Sequence, residues 1–310
     1  MTAPPIPPPV FRVPQVRAAI ISVGAGVGIL ACKFAAYLLT GSVAILSDAA
    51  ESVVNVVAAN VALVSLVVAA RPPDAGHHYG HGKAEYVSGA TEGAMIVVAG
   101  AWILATAVLR LLHPQPLRHL DWGAVVLAGA TAANYLTARF LLRVSREVGS
   151  IALEADARHL LADVLTSAGV FVGLALAWVT GQPRVDAAVG GLVAVHVFRL
   201  GLSVYLQSVR GLMDTSLPQG EEDVIRRILD DHQAEIVEYH ALRSRRVGTK
   251  RFIDLHLVLH RTLSVGEAHR LCDDLEEHVG DALPGTDVTI HVEPCAPGCR
   301  ICAAKTAKTS

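Results

Sequence analysis

The chain has 310 residues, of which 52% are hydrophobic and only 17% are charged, and its formal net charge at pH 7 is −2. Soluble domains usually carry about 25% charged residues, so the composition argues against a wholly water-soluble protein. The small net charge argues against a nucleic-acid partner. The length permits two domains, and residues 18–70 contain only Lys33, Asp48 and Glu51 as charges, whereas residues 220–294 resemble a soluble domain.

The first 17 residues are Pro-rich and lack the pattern of a cleavable signal peptide, so they are predicted to be a disordered lead-in. Six apolar stretches follow, each long enough for a helix that crosses a bilayer, which takes about 20 residues. Turns such as Thr40-Gly41-Ser42 and Pro-containing breaks separate them. Within a membrane domain of residues 18–210, we predict spans at 18–40, 43–70, 87–112, 122–143, 156–180 and 185–208.

The Lys and Arg residues of short loops indicate how such a bundle is oriented, because cytosolic loops carry more of them. One side holds Arg12, Arg17, Arg71, Lys83, Arg139, Arg143, Arg146 and Arg210, and the other holds Arg110, Arg118 and Arg184. The first side is therefore assigned to the cytosol, with both termini on it. We expect an integral protein of the bacterial inner (plasma) membrane.

Beyond the spans, residues 211–294 are predicted to form a cytosolic α+β domain. The expected order is helix 220–232, strands 235–245 and 251–261, helix 264–281 and strand 286–293. This αββαβ order, with antiparallel pairing, is typical of a small ferredoxin-like or metallochaperone-like sandwich. The apolar stripe of the second helix consists of Val265, Ala268, Cys272, Leu275 and Val279. Residues 295–310 form a cysteine-containing tail.

Ionisable groups inside membrane spans are costly and indicate function. The second span offers Glu51 and Asn55, and the fifth offers His159 and Asp163; each pair is four residues apart and shares a helix face. Asp48 lies on the face of Glu51 and is a further candidate. A lone histidine in a span is more often a packing residue, but two polar pairs on two helices predict one site with four ligands for a divalent metal.

The other polar residues of the spans are interpreted as snorkelling, interhelical or interfacial groups. Among them, Glu92 is also able to face the same cavity as the metal site. The set comprises Lys33, Glu92, Asn134, His196 and Arg199.

The loop after the second span reads DAGHHYGHGK. Asp74, His77 and His81 offer an oxygen and two imidazole donors for a metal, and the glycines let the loop fold around an ion. His78 is an alternative to His77, and a solvated turn without metal is equally compatible with the pattern.

The cytosolic strands alternate between apolar and polar residues, which indicates a sheet with one buried face. His256, His291 and Glu293 fall on its polar face, although scattered surface histidines explain the same pattern. In the tail, Cys295, Cys299 and Cys302 have the spacing C-x₃-C-x₂-C. Thiolates in the reducing cytosol bind metal more often than they form disulfides, so the tail is a possible metal site; the alternative is a disordered tail with reactive thiols.

These motifs together resemble the cation diffusion facilitator family, from about residue 18 to residue 295. The resemblance is carried by GSVAILSDAAESVVN at 41–55, PDAGHHYGHGKAEY at 73–86, HLLAD at 159–163 and the C-terminal domain. It implies a homodimer that exchanges cytosolic Zn²⁺, or a similar ion, for protons. It also implies that the metal is both substrate and regulatory ligand.

The resemblance also implies where the ligands lie. Its transport site maps to Glu51, Asn55, His159 and Asp163, its loop site to Asp74, His77 and His81, and its cytosolic sites to His240, His256, His269, His291 and Glu293. A charge pair near the membrane surface maps to Lys83 and Asp214. Most zinc transporters of the family have His or Asp where this chain has Glu51, and Asp where it has Asn55, so Fe²⁺, Co²⁺, Mn²⁺ and Cd²⁺ stay open beside Zn²⁺.

The sequence raises three alternative functions. A proton-driven exporter working by alternating access needs polar pairs buried on two spans, and the chain has them. A membrane-anchored metal sensor without transport does not need them. A metal-dependent enzyme needs a nucleophile or general base beside the metal, and no such motif is present; nor is there a GxxxxGK[ST] loop for ATP. The sequence therefore predicts a transporter and no enzyme.

Overall fold

The computed structural model describes residues 12–40, 43–113, 122–297 and 299. The chain divides into two compact units, one ending at Leu212 and the other beginning at Met213. Because each unit has its own helices and its own packed interior, the two are described separately below.

The first unit consists of six helices, each long and apolar enough to cross a membrane. The predicted six-span architecture is therefore confirmed. The helices are α1 (Pro14–Thr40), α2 (Val43–Ala69), α3 (Ala84–Leu112), α4 (Trp122–Val148), α5 (Ile151–Thr180) and α6 (Pro183–Leu212).

Helix α5 begins five residues before the predicted start of its span, because Ser150 caps it. The Ser150 side chain accepts a hydrogen bond from the backbone N–H of Leu153. The extra turn matters for function because it brings Asp156 well inside the helix, on the face that also carries His159.

Helices α3 and α6 approach each other closely at glycines. A Cβ atom added to Gly93 would lie 2.5 Å from the backbone nitrogen of Tyr205, and one added to Gly100 would lie 2.8 Å from that of Phe198. Small residues permit such backbone contact in membranes, where no hydrophobic force drives helices together. The two helices therefore pack as one tight pair.

The second unit is an α+β domain, as predicted. Its elements are α7 (Gln219–Asp231), β1 (Glu238–Val247), β2 (Lys250–Leu259), α8 (Val265–Ala282) and β3 (Thr286–Pro294). The sheet has the order β1-β2-β3. The expectation of antiparallel pairing throughout is wrong, since β1 pairs antiparallel with β2 but β3 pairs parallel with β2. The reason is that α8 serves as the crossover connection between β2 and β3, which parallel strands require.

The core of this domain lies between the sheet and its two helices. The apolar positions of β2 are buried, as their alternation predicts; they are Ile253, Leu255, Leu257 and Leu259. The predicted stripe of α8 is correct at Cys272, Leu275 and Val279, but Val265 is 89% exposed and Leu271 is buried instead. Val265 is the first residue of α8 and lies within the capping box that Ser264 and Glu267 form.

An ion-pair cluster joins α7 to the sheet. The Glu221 carboxylate accepts hydrogen bonds from Arg251 at 2.9 and 3.0 Å and from Arg246 at 2.5 Å. These bonds, chiefly those from Arg251, lower the pKa of Glu221 to about 2. Because the folded-state pKa lies below the unfolded-state value, the cluster stabilises the domain above the unfolded-state pKa. The stabilisation is lost as the pH falls towards 2.

We therefore expect Glu221→Gln to lower the unfolding free energy of the fragment 213–310 by about 2 kcal/mol at pH 7, a value reduced for solvent screening. The deficit should shrink at pH 3. Urea unfolding at both pH values measures it, with the exposed Glu277→Gln as control. An equal deficit at both pH values would contradict the assigned role of the Glu221 carboxylate.

Candidate metal centres

The side chains predicted to bind the transported ion meet between α2 and α5. His159 and Asp163 lie one turn apart on α5, and Asn55 of α2 lies between their polar atoms. The Asn55 amide nitrogen donates to Asp163 Oδ2 at 2.5 Å, and its Oδ1 lies 3.1 Å from His159 Nε2. The structure thus brings together three of the four residues assigned to this site.

This arrangement has a chemical consequence. The Asn55 oxygen is an acceptor, so the bond to His159 requires a proton on Nε2. A metal ion needs the Nε2 lone pair instead. A metal ion that binds at Nε2 therefore requires this nitrogen to lose its proton, either to a base or by a shift to Nδ1, and it breaks the hydrogen bond between Asn55 and the ring.

The site opens onto a cavity of about 1240 Å³ that residues of helices α2 to α6 line. Most of the lining is apolar, and Asn55, His159 and Asp163 are among its polar groups. A second, smaller pocket of about 20 Å³ also reaches Asn55 and Asp163. Asp48 and Glu51 belong to α2, but their side chains lie outside what the structure describes, so their roles stay predictions.

The three residues predicted to form the loop site lie close together. His77 Nδ1 lies 3.2 Å and His81 Nε2 lies 3.4 Å from the Asp74 carboxylate. The backbone N–H groups of Gly76 and His77 donate to Asp74 Oδ1 and hold the pKa of this carboxyl below its usual range. Asp74 is thus ionised at neutral pH, as a metal ligand must be. One donor atom from each of the three lies within 4.8 Å of the others, and His78 is not in the group.

A second cluster lies on the polar face of the sheet in the second unit. Donor atoms of His240, His256 and Glu293 lie within 4.8 Å of one another, and His256 Nδ1 is 2.8 Å from Glu293 Oε1. The register explains this, because His240 faces His256 across β1 and β2, and His291 faces His256 across β2 and β3. The His291 ring lies 4.9 Å from that of His256, at the edge of the cluster.

The remaining predicted ligands do not join these groups in the part of the chain that is described. His269 of α8 is exposed, and its Nδ1 lies 3.6 Å from Asp273 on the same helix. Cys295 is 2% exposed and its backbone N–H donates to the Leu259 carbonyl, which continues the pairing beside β3. Cys299 is partly exposed, and Cys302 lies outside the described residues, so the tail site stays a prediction.

The predicted charge pair involves one residue from each unit. In the first unit the Lys83 ammonium donates to the Leu212 carbonyl at 3.4 Å, and in the second unit Arg245 lies 3.5 Å from Asp214 Oδ2. The pairing of Lys83 with Asp214 stays a prediction.

Two polar residues of the spans have a more definite place than the sequence indicated. Lys33 is 5% exposed and donates to Ser52 at 2.7 Å, so of its proposed roles the interhelical bond is the one found. Asp156 is not among the predicted site residues. It lies three residues before His159 on the same helix face, and this spacing is the sequence signal that points to it. It is 1% exposed and accepts from Ser22 at 2.7 Å.

Both units of the chain match known protein families. Residues 19–213 match the cation efflux transmembrane domain family, and residues 217–295 match the cytoplasmic domain family of cation efflux proteins. An uncharacterized transporter of Synechocystis sp. is 39% identical over 89% of each chain. The cation-efflux pump FieF of Pectobacterium atrosepticum is 32% identical over 89% of this chain and 92% of that protein.

Among solved structures, one of CzrB in its zinc form is 44% identical to the chain. The match covers 26% of this chain and 90% of that one, with a TM-score of 0.25.

Proposed function

The chain belongs to the cation efflux family, and from this membership we propose that it exports a divalent transition-metal ion from the cytosol in exchange for protons. It is an integral membrane transporter of cations rather than an enzyme. The proposal adds to this the ion, the driving force and the binding residues.

The observation that carries the proposal is the meeting of Asn55, His159 and Asp163 inside a membrane domain. Buried polar groups are expensive in a bilayer, and here an imidazole, a carboxylate and an amide converge at the wall of a large apolar cavity. A binding site within spans is what transport requires, whereas a sensor needs only sites exposed to the cytosol.

The donor set favours Zn²⁺. Imidazole nitrogen and carboxylate oxygen are ordinary zinc ligands, while an all-oxygen site would favour Mg²⁺ or Ca²⁺. Fe²⁺, Co²⁺, Mn²⁺ and Cd²⁺ accept similar ligands and remain alternative substrates. The neutral Asn55 amide weakens the charge of the site, and we propose that Glu51 and Asp48 of the same helix supply the missing negative charge.

Proton exchange follows from ligand chemistry. Histidine and carboxylates bind metal in deprotonated form, so the arrival of the metal expels protons and the arrival of protons expels the metal. Histidine suits this role because its ordinary pKa is close to physiological pH. Metal ion and protons therefore occupy the site in turn, as it opens to one side of the membrane and then to the other.

The cytosolic domain completes the proposal. We assign a regulatory metal site to His240, His256, His291 and Glu293, with His269 as a further ligand, and assign homodimer formation to this domain. The loop site of Asp74, His77 and His81 would receive metal near the membrane surface. Both termini face the cytosol in this scheme, and the membrane is the bacterial inner membrane.

Purified full-length protein in liposomes provides the test. With the side opposite the cytosolic domain made acidic, we expect Zn²⁺ to accumulate against its concentration gradient on the acidic side. A protonophore, with the membrane potential clamped, should abolish the accumulation. If uphill accumulation persists without a proton gradient, the exchange mechanism is wrong.

A further inference from the structure

A second buried acidic feature lies beside the metal site. Glu92 of α3 is 0% exposed and Asp156 of α5 is 1% exposed, and the two carboxyl groups interact electrostatically. Neither belongs to the set of proposed metal ligands. Two acidic groups fully enclosed in an apolar bundle need a physical reason, because each is costly there when charged.

The helix spacing places these acids along two facing stripes. Glu85, Ser88 and Glu92 recur at three- and four-residue intervals on α3, and so do Asp156, His159 and Asp163 on α5, so each set shares one face. Helices α3 and α5 pack together. The acidic stripe of α3 therefore runs beside the helix that carries the proposed metal ligands.

Each of the two glutamates of the stripe accepts a hydrogen bond from a serine, and one oxygen of Glu92 accepts none. Ser88 donates to Glu92 Oε1 at 3.2 Å, and Ser150 donates to Glu85 at 2.5 Å. Within the described residues, Glu92 Oε2 is buried and has no hydrogen-bond partner. A buried carboxyl oxygen without a donor is poorly stabilised as an anion, and a bound proton removes that charge.

Among the described residues, the side chains that interact with Glu92 are Asp156 and Ser88. From α5 it faces Asp156, which in turn interacts with His159; Arg158 of that helix instead pairs with Glu154. The side of α6 that packs on this part of α3 presents the buried hydroxyl of Ser208, while the basic and imidazole groups of that stretch are exposed; these are His196, Arg199 and Arg210.

The other contributions come from α1, α2 and α3 itself. From α1, Ser22 donates to Asp156. From α3, the titratable neighbour is the buried Glu85, two turns from Glu92. On α2, Asp48 and Glu51 have side chains outside the description. Among the described residues, the groups that interact with Glu92 and Asp156 thus include the hydroxyls of Ser88 and Ser22 and further acids.

The arrangement suits a proton better than a metal. In the described part of the chain, Glu85, Glu92 and Asp156 do not form a group of donor atoms within 4.8 Å, as the loop and cytosolic clusters do. A proton needs only one carboxyl oxygen, and Glu92 has one to offer.

We propose that Glu92 is a proton-binding site of the transporter, separate from the metal ligands, which gives up its proton when a metal ion reaches His159 and Asp163. Before metal arrives, Glu92 keeps its proton, because its Oε2 has no donor among the described residues and its neighbour Asp156 is a second acid. The positive charge of the metal lowers the cost of a negative charge on Glu92, and the Glu92 O–H bond breaks to leave a carboxylate. The proton departs along Ser88 and Glu85 towards the start of α3, the end assigned to the cytosol.

This inference rests on the proposed function and adds one proton carrier to it. Full-length Glu92→Gln protein in liposomes should still move Zn²⁺ down its gradient. Its ratio of protons to Zn²⁺, measured from simultaneous Zn²⁺ and pH indicators, should be lower by about one. Its rate should also depend less on pH. Glu147→Gln, the same change at an exposed position of α4, should leave the ratio unchanged.

An unchanged ratio in Glu92→Gln would overturn the inference while leaving proton exchange intact; no proton coupling in the wild type would instead overturn the proposed function. A second measurement tests the inference even if the Glu92→Gln variant folds poorly. The infrared difference between Zn²⁺-loaded and metal-free wild type should show loss of a protonated carboxyl band, and Glu92→Asp should shift that band. If the wild type shows no such band, Glu92 is not the proton site.

Discussion

Asp163→Ala protein is expected to lose Zn²⁺ transport by about 100-fold or more, since loss of even an outer-shell partner of a metal ligand costs about 10- to 100-fold. Asp163 is the one carboxylate among the four proposed transport ligands whose side chain the structure describes, and it holds the Asn55 amide through a hydrogen bond. Removing it takes away the main negative charge that balances the ion. It also leaves Asn55 without its acceptor in the bundle. Initial rates of Zn²⁺ uptake into liposomes measure the effect.

Two further variants separate loss of a ligand from loss of fold. Asp163→Asn keeps the volume of the side chain and should also fail to transport, because an amide is a weak neutral donor. Asp186→Ala removes a carboxylate from the wall of the same cavity, where it faces Arg110, and should transport within about threefold of wild type. Transport by Asp163→Ala at the wild-type rate would refute the site.

The second large effect is expected in the cytosolic domain. His256→Ala should weaken Zn²⁺ binding to the fragment 213–310 by at least about tenfold. His256 is central to the cluster, because its ring lies between those of His240 and His291 and bonds to Glu293. Neutral imidazoles supply most of the donors there, so losing the middle one breaks the set. Isothermal titration calorimetry of the fragment measures the affinity.

His260→Ala is the matched control for this experiment. His260 lies just beyond the end of β2, and its Nδ1 bonds to Thr262 rather than to the cluster. Its loss should change neither Zn²⁺ affinity nor the dimer. Equal affinity for His256→Ala and wild type would show that the cluster on the sheet does not bind the metal.

Much of the fold follows from short-range patterns. The six spans are set by apolar length, because a bilayer accepts only helices that satisfy their own backbone groups. The buried face of β2 is set by alternation, because successive side chains point to opposite sides of a strand. The pairing of His159 with Asp163 on one face is set by helix periodicity. Each of these depends on residues close together in the sequence.

Other features depend on contacts between distant segments, which no local pattern encodes. Asn55 and Asp163 are more than a hundred residues apart, and only the packing of α2 on α5 makes Asn55 a bridge between two ligands. The parallel pairing of β3 with β2 depends on the path of α8. That His77, and not His78, lies in one group with Asp74 and His81 depends on the fold of the loop.

The buried acids Glu92 and Asp156 show most clearly which features follow from local sequence and which depend on packing. The amino-acid pattern alone places Glu92 in a span and Asp156 one turn before His159. That both residues are enclosed, that they interact, and that Glu92 keeps an oxygen without a donor among the described residues follows from the packing of the helices. The physical reason is that burial and hydrogen bonding of a helix residue are set by the neighbouring helices, and helix periodicity fixes only which residues share a face.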